Sequence, residues 1–189
     1  NTFIRTTLRY NIDIDGNYTK AFNVERPFYS PYARWAAGMN FDQQFQRLVP
    51  VDFPQSDTTV NSKYNSQDLW GGHSIQIFKG NTESNRATNF ITTARFYNKE
   101  FSDKPIFGDD TLGVYSNEKL YLISLGISSR KYKQDKFVFN FDVIEDIASG
   151  FVYSVTTGFQ NKNSNNRLYF GAKVALGGYF DFGYLSTDL

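Results

Sequence analysis

The sequence predicts an all-β fold, an antiparallel up-and-down transmembrane β-barrel, and three observations carry that prediction. Aromatic residues make up 18% of the chain, with 19 Phe and 13 Tyr against a single Met, and this composition favours strands. Apolar and polar residues alternate with a period of two through most of the chain. Several of these stretches reach about 9–11 residues or more, the length that a tilted strand needs to cross the hydrocarbon of a bilayer.

Composition excludes several classes of function. The 20 Lys and Arg residues against 19 Asp and Glu residues give a net charge of +1, without the marked basic excess of a general nucleic-acid binder. The absence of cysteine excludes disulfides, zinc-thiolate sites and thiol catalysis, and a single histidine leaves little for an imidazole-rich metal site. No run of 18 apolar residues occurs, which excludes a transmembrane helix. We therefore expect no cofactor, no enzymatic activity and no nucleic-acid partner.

The first quarter of the chain predicts three strands. Residues 4–14 alternate strictly, and the following Asp15-Gly16 pair suits the positive φ angles of a type I′ hairpin turn. Alternation resumes over residues 18–24. Two prolines in "RPFYSP" then interrupt ladder pairing, and residues 35–46 form the next predicted strand.

The rest of the chain predicts six further strands and the start of another. These strands cover residues 64–78, 87–101, 119–131, 137–143, 151–160 and 167–176, and a tenth strand begins after Gly178. No segment shows helical periodicity. The connections over residues 48–63 and 102–118 are long and polar, whereas "EDIASG" at 145–150 and "NKNSNN" at 161–166 are predicted to be short. Because the pattern continues to the last residue, we expect residues 1–189 to be one incomplete domain of a larger barrel.

Strand length and charge placement favour a membrane barrel over a soluble sandwich. Alternation alone does not separate the two, because a soluble antiparallel sheet also has one apolar and one polar face. Soluble strands usually span about 5–6 residues, fewer than the stretches seen here. The charged residues also fall on the polar face of their strands, whereas Arg or Lys facing lipid at the midplane would cost about 2–4 kcal/mol. Lys20 is the exception, and it lies near a hairpin where its amine can reach the polar boundary.

The alternation assigns each strand residue to one of two environments. The residues predicted to face lipid are Leu8, Tyr10, Ile12, Trp35, Met39, Phe41, Phe90, Phe96, Ile123, Leu125, Phe137, Phe139, Phe141, Val155, Phe170 and Val174. The residues predicted to face the lumen are Arg5, Arg9, Arg34, Asp42, Arg95, Asn140, Asp142 and Lys173.

Several segments resemble a known family of barrels. "FNVERPFYSPYARWAAGMNF" is similar to the strand, periplasmic turn and strand of the Omp85/BamA superfamily, the bacterial surface-antigen group. "QDLWGGHSIQIF", "FNFDVIEDIASG" and "GAKVALGGYFDFG" resemble segments of such barrels in Bacteroidetes-like Gram-negative bacteria. The resemblance runs from about residue 20 to residue 189. The superfamily's VRGF-type motif and its periplasmic POTRA modules are missing from this sequence, so the chain would be an internal segment of a larger barrel.

The resemblance implies a location and a role. The location would be the outer membrane of a Gram-negative bacterium, in contact with outer-membrane lipid and lipopolysaccharide. The role would be non-enzymatic insertion or translocation of client outer-membrane proteins, with other assembly subunits as partners, through β-augmentation at a strand edge. A porin or solute-uptake barrel is an alternative, with Arg5, Arg9, Arg34 and Arg95 lining an aqueous lumen. A soluble all-β binding module that buries its aromatic faces between two sheets is another.

Four features are weak candidates for chemistry, and a structural role is favoured for each. His73 lacks identifiable convergent partners, and Asp68 is predicted to lie on the opposite strand face. Two carboxylate pairs, Asp109-Asp110 and Glu145-Asp146, offer oxygen ligands for calcium but match no calcium-loop motif. A basic cluster beside a turn, formed by Arg130, Lys131, Lys133 and Lys136, could contact lipid phosphate. Two tryptophans, Trp35 and Trp70, suit an aromatic girdle at the membrane interface.

Overall fold

The fold is a single antiparallel sheet, which confirms the all-β prediction. The computed structural model describes residues 3–48, 59–80, 82–105, 113–136 and 144–189. Its elements are β1 (Arg5–Ile12), β2 (Tyr18–Arg26), β3 (Trp35–Leu48), β4 (Val60–Gln76), α1 (Glu83–Ala87), β5 (Thr88–Asp103), β6 (Glu118–Lys136), β7 (Ile144–Lys162), β8 (Asn165–Phe180) and β9 (Gly183–Asp188).

Each strand pairs with the next one along the chain, so the sheet order is β1 to β9 without a crossover. This order confirms the predicted up-and-down topology. Over the described residues the sheet is open, because β1 pairs only with β2 and β9 pairs only with β8. The six strands from β3 to β8 have 14 to 19 residues each, and β6, β7 and β8 are longer than the ranges predicted for them.

One short helix interrupts the strands and was not predicted. Helix α1 has only five residues, too few for an apolar periodicity to be visible in the sequence. The hydroxyl of Thr82 caps it by accepting a hydrogen bond from the Asn85 N–H at 3.3 Å. Among the helices of the described segments, none has the length and apolar character required to cross a membrane.

The first hairpin forms where it was predicted, but with a different turn. Only Gly16 of the Asp15-Gly16 pair has a positive φ, of 78°, so the turn is not type I′. Asp13 builds the turn instead, because its carbonyl accepts from the Gly16 N–H and its carboxylate accepts from the N–H groups of Asp15 and Asn17. The paired positive φ values of a type I′ turn, 51° and 62°, occur at Asn163 and Ser164, between β7 and β8.

Two predicted boundaries in the second half of the chain are wrong. Residues 145–150, expected to be a short connection, lie inside β7 and pair with β6. The Ser, Gly and acidic residues there suggested a turn, but Gly150 has a left-handed φ of 140° and keeps its place in the ladder opposite Arg130. The strand predicted at 137–143 lies outside the described residues. The strand predicted to begin after Gly178 begins later, because β8 continues to Phe180 and β9 starts at Gly183.

The described residues form almost no hydrophobic core. Their buried hydrophobic side chains are Ala33, Ala36, Ala87 and Ile147. Ala33 lies in the connection of residues 27–34 between β2 and β3, Ala36 is the second residue of β3, and Ala87 is the last residue of α1. The Asn89 side-chain amide donates to the carbonyl of Pro31 in the same connection at 2.8 Å. The long strands therefore leave the large apolar side chains of the sheet unburied by other parts of the described chain.

Candidate functional site

The sheet has one predominantly apolar face, which we call the apolar face. Directly paired residues share a face in an antiparallel sheet, so the register assigns side chains across all strands. One cross-strand row consists of Met39, Leu69, Phe96, Tyr121, Phe159 and Leu168. A second row consists of Ile75, Phe90, Ile127, Tyr153 and Val174. Apolar side chains thus continue from strand to strand rather than forming an isolated patch.

The apolar face is exposed in the structure. Ile123 is 56% exposed, Leu125 is 49% exposed and Phe170 is 75% exposed, although all three belong to strand interiors. Monomeric soluble proteins rarely leave a contiguous apolar surface of this extent uncovered. The described residues contribute no second sheet or long helix that could cover it.

The opposite face, which we call the polar face, carries three ion pairs between described residues. Arg5 pairs directly with Glu25 across β1 and β2. Arg95 holds both carboxylate oxygens of Asp68 between β4 and β5, with one N–O distance of 2.8 Å. Lys173 binds Asp188 at 2.8 Å. All three pairs are partly exposed, so each adds little stability, but together they mark this face as hydrated.

Further polar contacts extend the polar face toward the β2–β3 connection. Arg34 precedes β3 and donates to Asn89 on β5 at 3.2 Å and to Gln76 on β4 at 3.3 Å. Gln160 donates to Glu118 at 2.6 Å on the opposite end of the same face. Small polar residues such as Ser66 and Ser74 are buried there. The polar face therefore carries hydrogen-bonding groups at both ends of its strands.

The register separates the two predicted sets of residues as the alternation indicated. On the apolar face lie Leu8, Tyr10, Ile12, Trp35, Met39, Phe41, Phe90, Phe96, Ile123, Leu125, Val155, Phe170 and Val174. On the polar face lie Arg5, Arg9, Asp42, Arg95 and Lys173, joined by the side chain of Arg34. Phe137, Phe139, Phe141, Asn140 and Asp142 lie outside the described residues.

Lys20 lies on the apolar face, as expected, and aromatic rings surround its amine. The Lys20 ammonium lies 4.9 Å from the centre of the Tyr18 ring and 5.9 Å from that of Tyr10. Both distances fit a cation–π contact. Lys20 is the third residue of β2 and the direct partner of Tyr10, so its charge lies among the apolar side chains of β1 and β2 near the first hairpin.

The structure gives His73 a packing partner instead of a chemical one. His73 lies on the apolar face and its ring centre is 4.1 Å from that of Trp35, its direct partner on β3. Asp68 lies on the other face, as predicted, where it binds Arg95. Within the described ranges no group of three or more His, Cys, Asp or Glu side chains could hold a metal ion.

Two of the weaker sequence candidates change their setting. Glu145 and Asp146 lie in β7 rather than in a turn, whereas Asp109 and Asp110 fall outside the described residues. The basic residues 130–136 form the end of β6 that pairs with the start of β7, so they keep the position at a hairpin end that the sequence predicts. Trp70 lies on the polar face, where its indole covers Gly38 so closely that a Cβ at position 38 would overlap it. Trp70 therefore lies on the face opposite to that of Trp35.

The pattern analysis missed a groove on the apolar face. Its floor is the cross-strand row Ala37, Gly71 and Ala94, and larger side chains such as Met39, Leu69 and Ile123 flank it. The groove has a volume of about 800 Å³. Small residues inside apolar alternation were the available signal, but only the register shows that three of them lie side by side.

Comparison with known proteins leaves the chain without an assigned relative. No family model, no curated protein and no solved structure matches it. The resemblance of its segments to the Omp85/BamA superfamily therefore has no support beyond the segments themselves.

Proposed function

We propose that the chain is part of the wall of a β-barrel in the outer membrane of a Gram-negative bacterium. Its apolar face contacts acyl chains, and its polar face lines a hydrated lumen. The observation that carries this proposal is the separation of the two faces over a nine-stranded sheet of long strands. Three ion pairs lie on one face, and exposed large apolar side chains continue across the other.

The path of the apolar stretch across the sheet also supports a barrel wall. On the apolar face, the apolar side chains of each strand form a run, which we call the apolar stretch. Its centre is at Tyr10 in β1 and at Ala172 in β8. The row through Tyr10 reaches β3 at Gln43, and the row through Ala172 reaches β3 at Trp35, eight residues away. The apolar stretch therefore shifts by about one residue per strand on average, the kind of stagger that strands tilted in a barrel require.

The stagger gives a strand tilt of the right size. With a rise of about 3.3 Å per residue and a strand spacing of about 4.8 Å, a shift of one residue per strand corresponds to about 35–40°. Outer-membrane strands are tilted by about 35–45°. At this tilt, ten residues project to about 25 Å, the height of the apolar band of such barrels.

Paired cysteine variants test the orientation of the wall. Residues 1–189 contain no cysteine, so each variant introduces one thiol into this segment. Val155→Cys and Thr156→Cys are neighbours on opposite faces of β7. In proteoliposomes, a fluorophore at position 155 should be quenched by brominated acyl chains, whereas a fluorophore at position 156 should be quenched by aqueous iodide. Equal responses at the two positions would contradict the proposal.

For the role of the barrel, we propose insertion or translocation of outer-membrane proteins, as in Omp85-type components. The segment "FNVERPFYSPYARWAAGMNF" and its companions support this role. Its test is the folding of a client barrel into vesicles with and without the full-length protein. An unchanged rate would overturn the insertion role but leave the barrel wall standing.

One observation favours solute uptake as a second candidate. The described polar face carries nine cationic side chains against six carboxylates, counted from the strand register and the Arg34 contacts. The cations are Arg5, Arg9, Arg34, Arg95, Lys99, Arg130, Lys162, Arg167 and Lys173, and the carboxylates are Glu25, Asp42, Asp68, Glu118, Asp146 and Asp188. A positive lumen concentrates anions. Anion-selective conductance in a planar bilayer would favour uptake over insertion.

A further inference from the structure

We propose that the groove on the apolar face binds one phospholipid with an anionic headgroup. Arg26 would hold the phosphate, and one acyl chain would lie over Ala37, Gly71 and Ala94. This inference rests on the proposed membrane location and adds a specific ligand to it.

The shape of the groove suits an acyl chain. A Cβ built on Gly71 meets no atom within 4 Å, so the floor of the groove is open at its centre. Met39 and Leu69 on one side and Ile123 beyond Ala94 provide apolar walls. The groove has a volume of about 800 Å³, and its lining spans two neighbouring cross-strand rows from β2 to β6.

The position of Arg26 adds charge complementarity. Arg26 is the direct partner of Ala37, so it closes the row that forms the floor of the groove. It is the last residue of β2, two residues beyond Val24, whereas Ala94 lies well inside the apolar stretch of β5. The groove therefore runs from the edge of the apolar face toward its middle, with the cation at the edge, where a lipid headgroup lies.

The guanidinium keeps donors for a ligand. One terminal nitrogen of Arg26 donates to the Trp35 carbonyl, and the other donates to the Tyr29 hydroxyl at 3.4 Å. The Tyr29 ring lies 5.1 Å from the guanidinium carbon. Because an arginine has five N–H donors, these two hydrogen bonds orient the group and leave others for phosphate oxygens.

Native mass spectrometry of the full-length protein tests the proposal. The protein is reconstituted in a phosphatidylcholine bilayer containing a minor fraction of phosphatidylglycerol, extracted into mild detergent, and its retained lipids are counted. We expect one retained phosphatidylglycerol. Arg26→Gln should reduce its retention about tenfold relative to phosphatidylcholine, the change that one lost charge-assisted contact produces. Gly71→Leu should abolish retention of either lipid.

Two variants serve as matched controls. Lys20→Gln removes another cation from the apolar face, and Ala172→Leu adds the same side chain to that face away from the groove. Both should retain phosphatidylglycerol as the natural protein does. If Gly71→Leu does not fold, Gly71→Ala replaces it, with a smaller loss expected because the smaller side chain fills less of the groove.

The outcomes separate this inference from the proposed function. Failure of the protein to enter the bilayer would overturn both. Entry with equal lipid retention by all variants would overturn only the groove assignment. Displacement of the lipid by inorganic phosphate alone would also overturn it, because the acyl chain would then contribute nothing to binding.

Discussion

At the scale of single residues, the face on which a side chain lies decides what a substitution does. Tyr169 and Phe170 are adjacent aromatic residues of β8, both exposed, on opposite faces of the sheet. We expect Phe170→Arg to destabilise the protein in vesicles, lowering its free energy of unfolding by about 2–4 kcal/mol, because the guanidinium would face acyl chains. Tyr169→Arg, the matched control, should change it by much less. Urea titration in vesicles measures both, and equal losses would contradict the assignment of faces.

A second prediction at this scale concerns the carboxyl group of Asp13 in the first hairpin. The hydrogen bond from the Asn17 side chain, at 2.8 Å, is the main cause that holds the pKa of Asp13 below its usual value, and the N–H groups of Asn17, Asp15 and Gly16 act in the same direction. A carboxyl whose pKa is lowered by folding stabilises the turn above its unfolded pKa, and this contribution is lost as the pH falls through the folded pKa.

The carboxyl carbon shift of Asp13, followed by NMR against pH, measures this effect. Asn17→Ala should raise the pKa of Asp13 toward its usual value, because the largest cause of the shift is removed. Asn11→Ala, a change in the adjoining strand, is the control and should leave the titration where it is. If the pKa of Asp13 is the same in Asn17→Ala as in the natural protein, this explanation is ruled out.

At the scale of elements, Gly150 keeps β7 continuous. Its φ of 140° is a conformation that residues with a side chain rarely adopt, and a Cβ there would overlap the carbonyl of Ser129. We expect Gly150→Ala to destabilise the protein by about 1–3 kcal/mol through backbone strain. Gly178→Ala in β8 is the control, because a Cβ at position 178 meets only ring atoms of Phe180 at ordinary distances of 3.7 and 3.8 Å. Thermal or urea unfolding of the two variants compares them.

The same element shows what the sequence could and could not predict. The alternation of residues 151–160 predicted a strand, because a period of two follows directly from the pleat. It did not predict that the strand begins at Ile144, because Ser149-Gly150 resembles a turn until pairing with β6 is known. The short connection within residues 161–166 was predicted correctly, but its type I′ geometry at Asn163-Ser164 was not, since neither residue is glycine, although asparagine tolerates a positive φ.

The candidate site divides in a similar way. The two faces follow from alternation within each strand, so residues such as Arg95 and Leu125 could be assigned from sequence alone. The groove depends on which residues of different strands are neighbours. Ala37, Gly71 and Ala94 are 34 and 23 positions apart in the chain, and only the register brings them into one row. Periodicity within a strand contains no information on pairing between strands.

At the scale of the whole molecule, the arrangement of apolar and polar surface is the reverse of that in a soluble domain. The largest described apolar side chains are outside, while small polar residues such as Ser62, Ser74 and Asn89 are buried. Hydrophobic burial against other parts of the described chain therefore contributes little to folding, and stability depends on what covers the apolar face. If acyl chains cover it, transfer of the sheet into a bilayer supplies the burial that a core supplies elsewhere.

This dependence predicts a definite orientation in a membrane. The shift of the apolar stretch by about one residue per strand requires the strands to tilt by about 35–40° from the bilayer normal, so that the stretch becomes level with the bilayer plane. Polarised infrared spectroscopy of oriented bilayers measures this angle from the amide I dichroism of the full-length protein. A random distribution of strand directions, or a sheet lying flat on the bilayer surface, would be incompatible with a barrel wall.

A charge placed in the middle of the apolar stretch provides the matched comparison for this measurement. Val155→Arg should lose the oriented signal and leave the protein in the aqueous fraction, because the guanidinium would lie near the midplane. Thr156→Arg, one residue away on the polar face, should keep the dichroism of the natural protein. The comparison holds strand length and composition almost constant and changes only the side of the sheet that carries the charge. It therefore tests whether the apolar face requires lipid, independently of what the barrel transports or inserts.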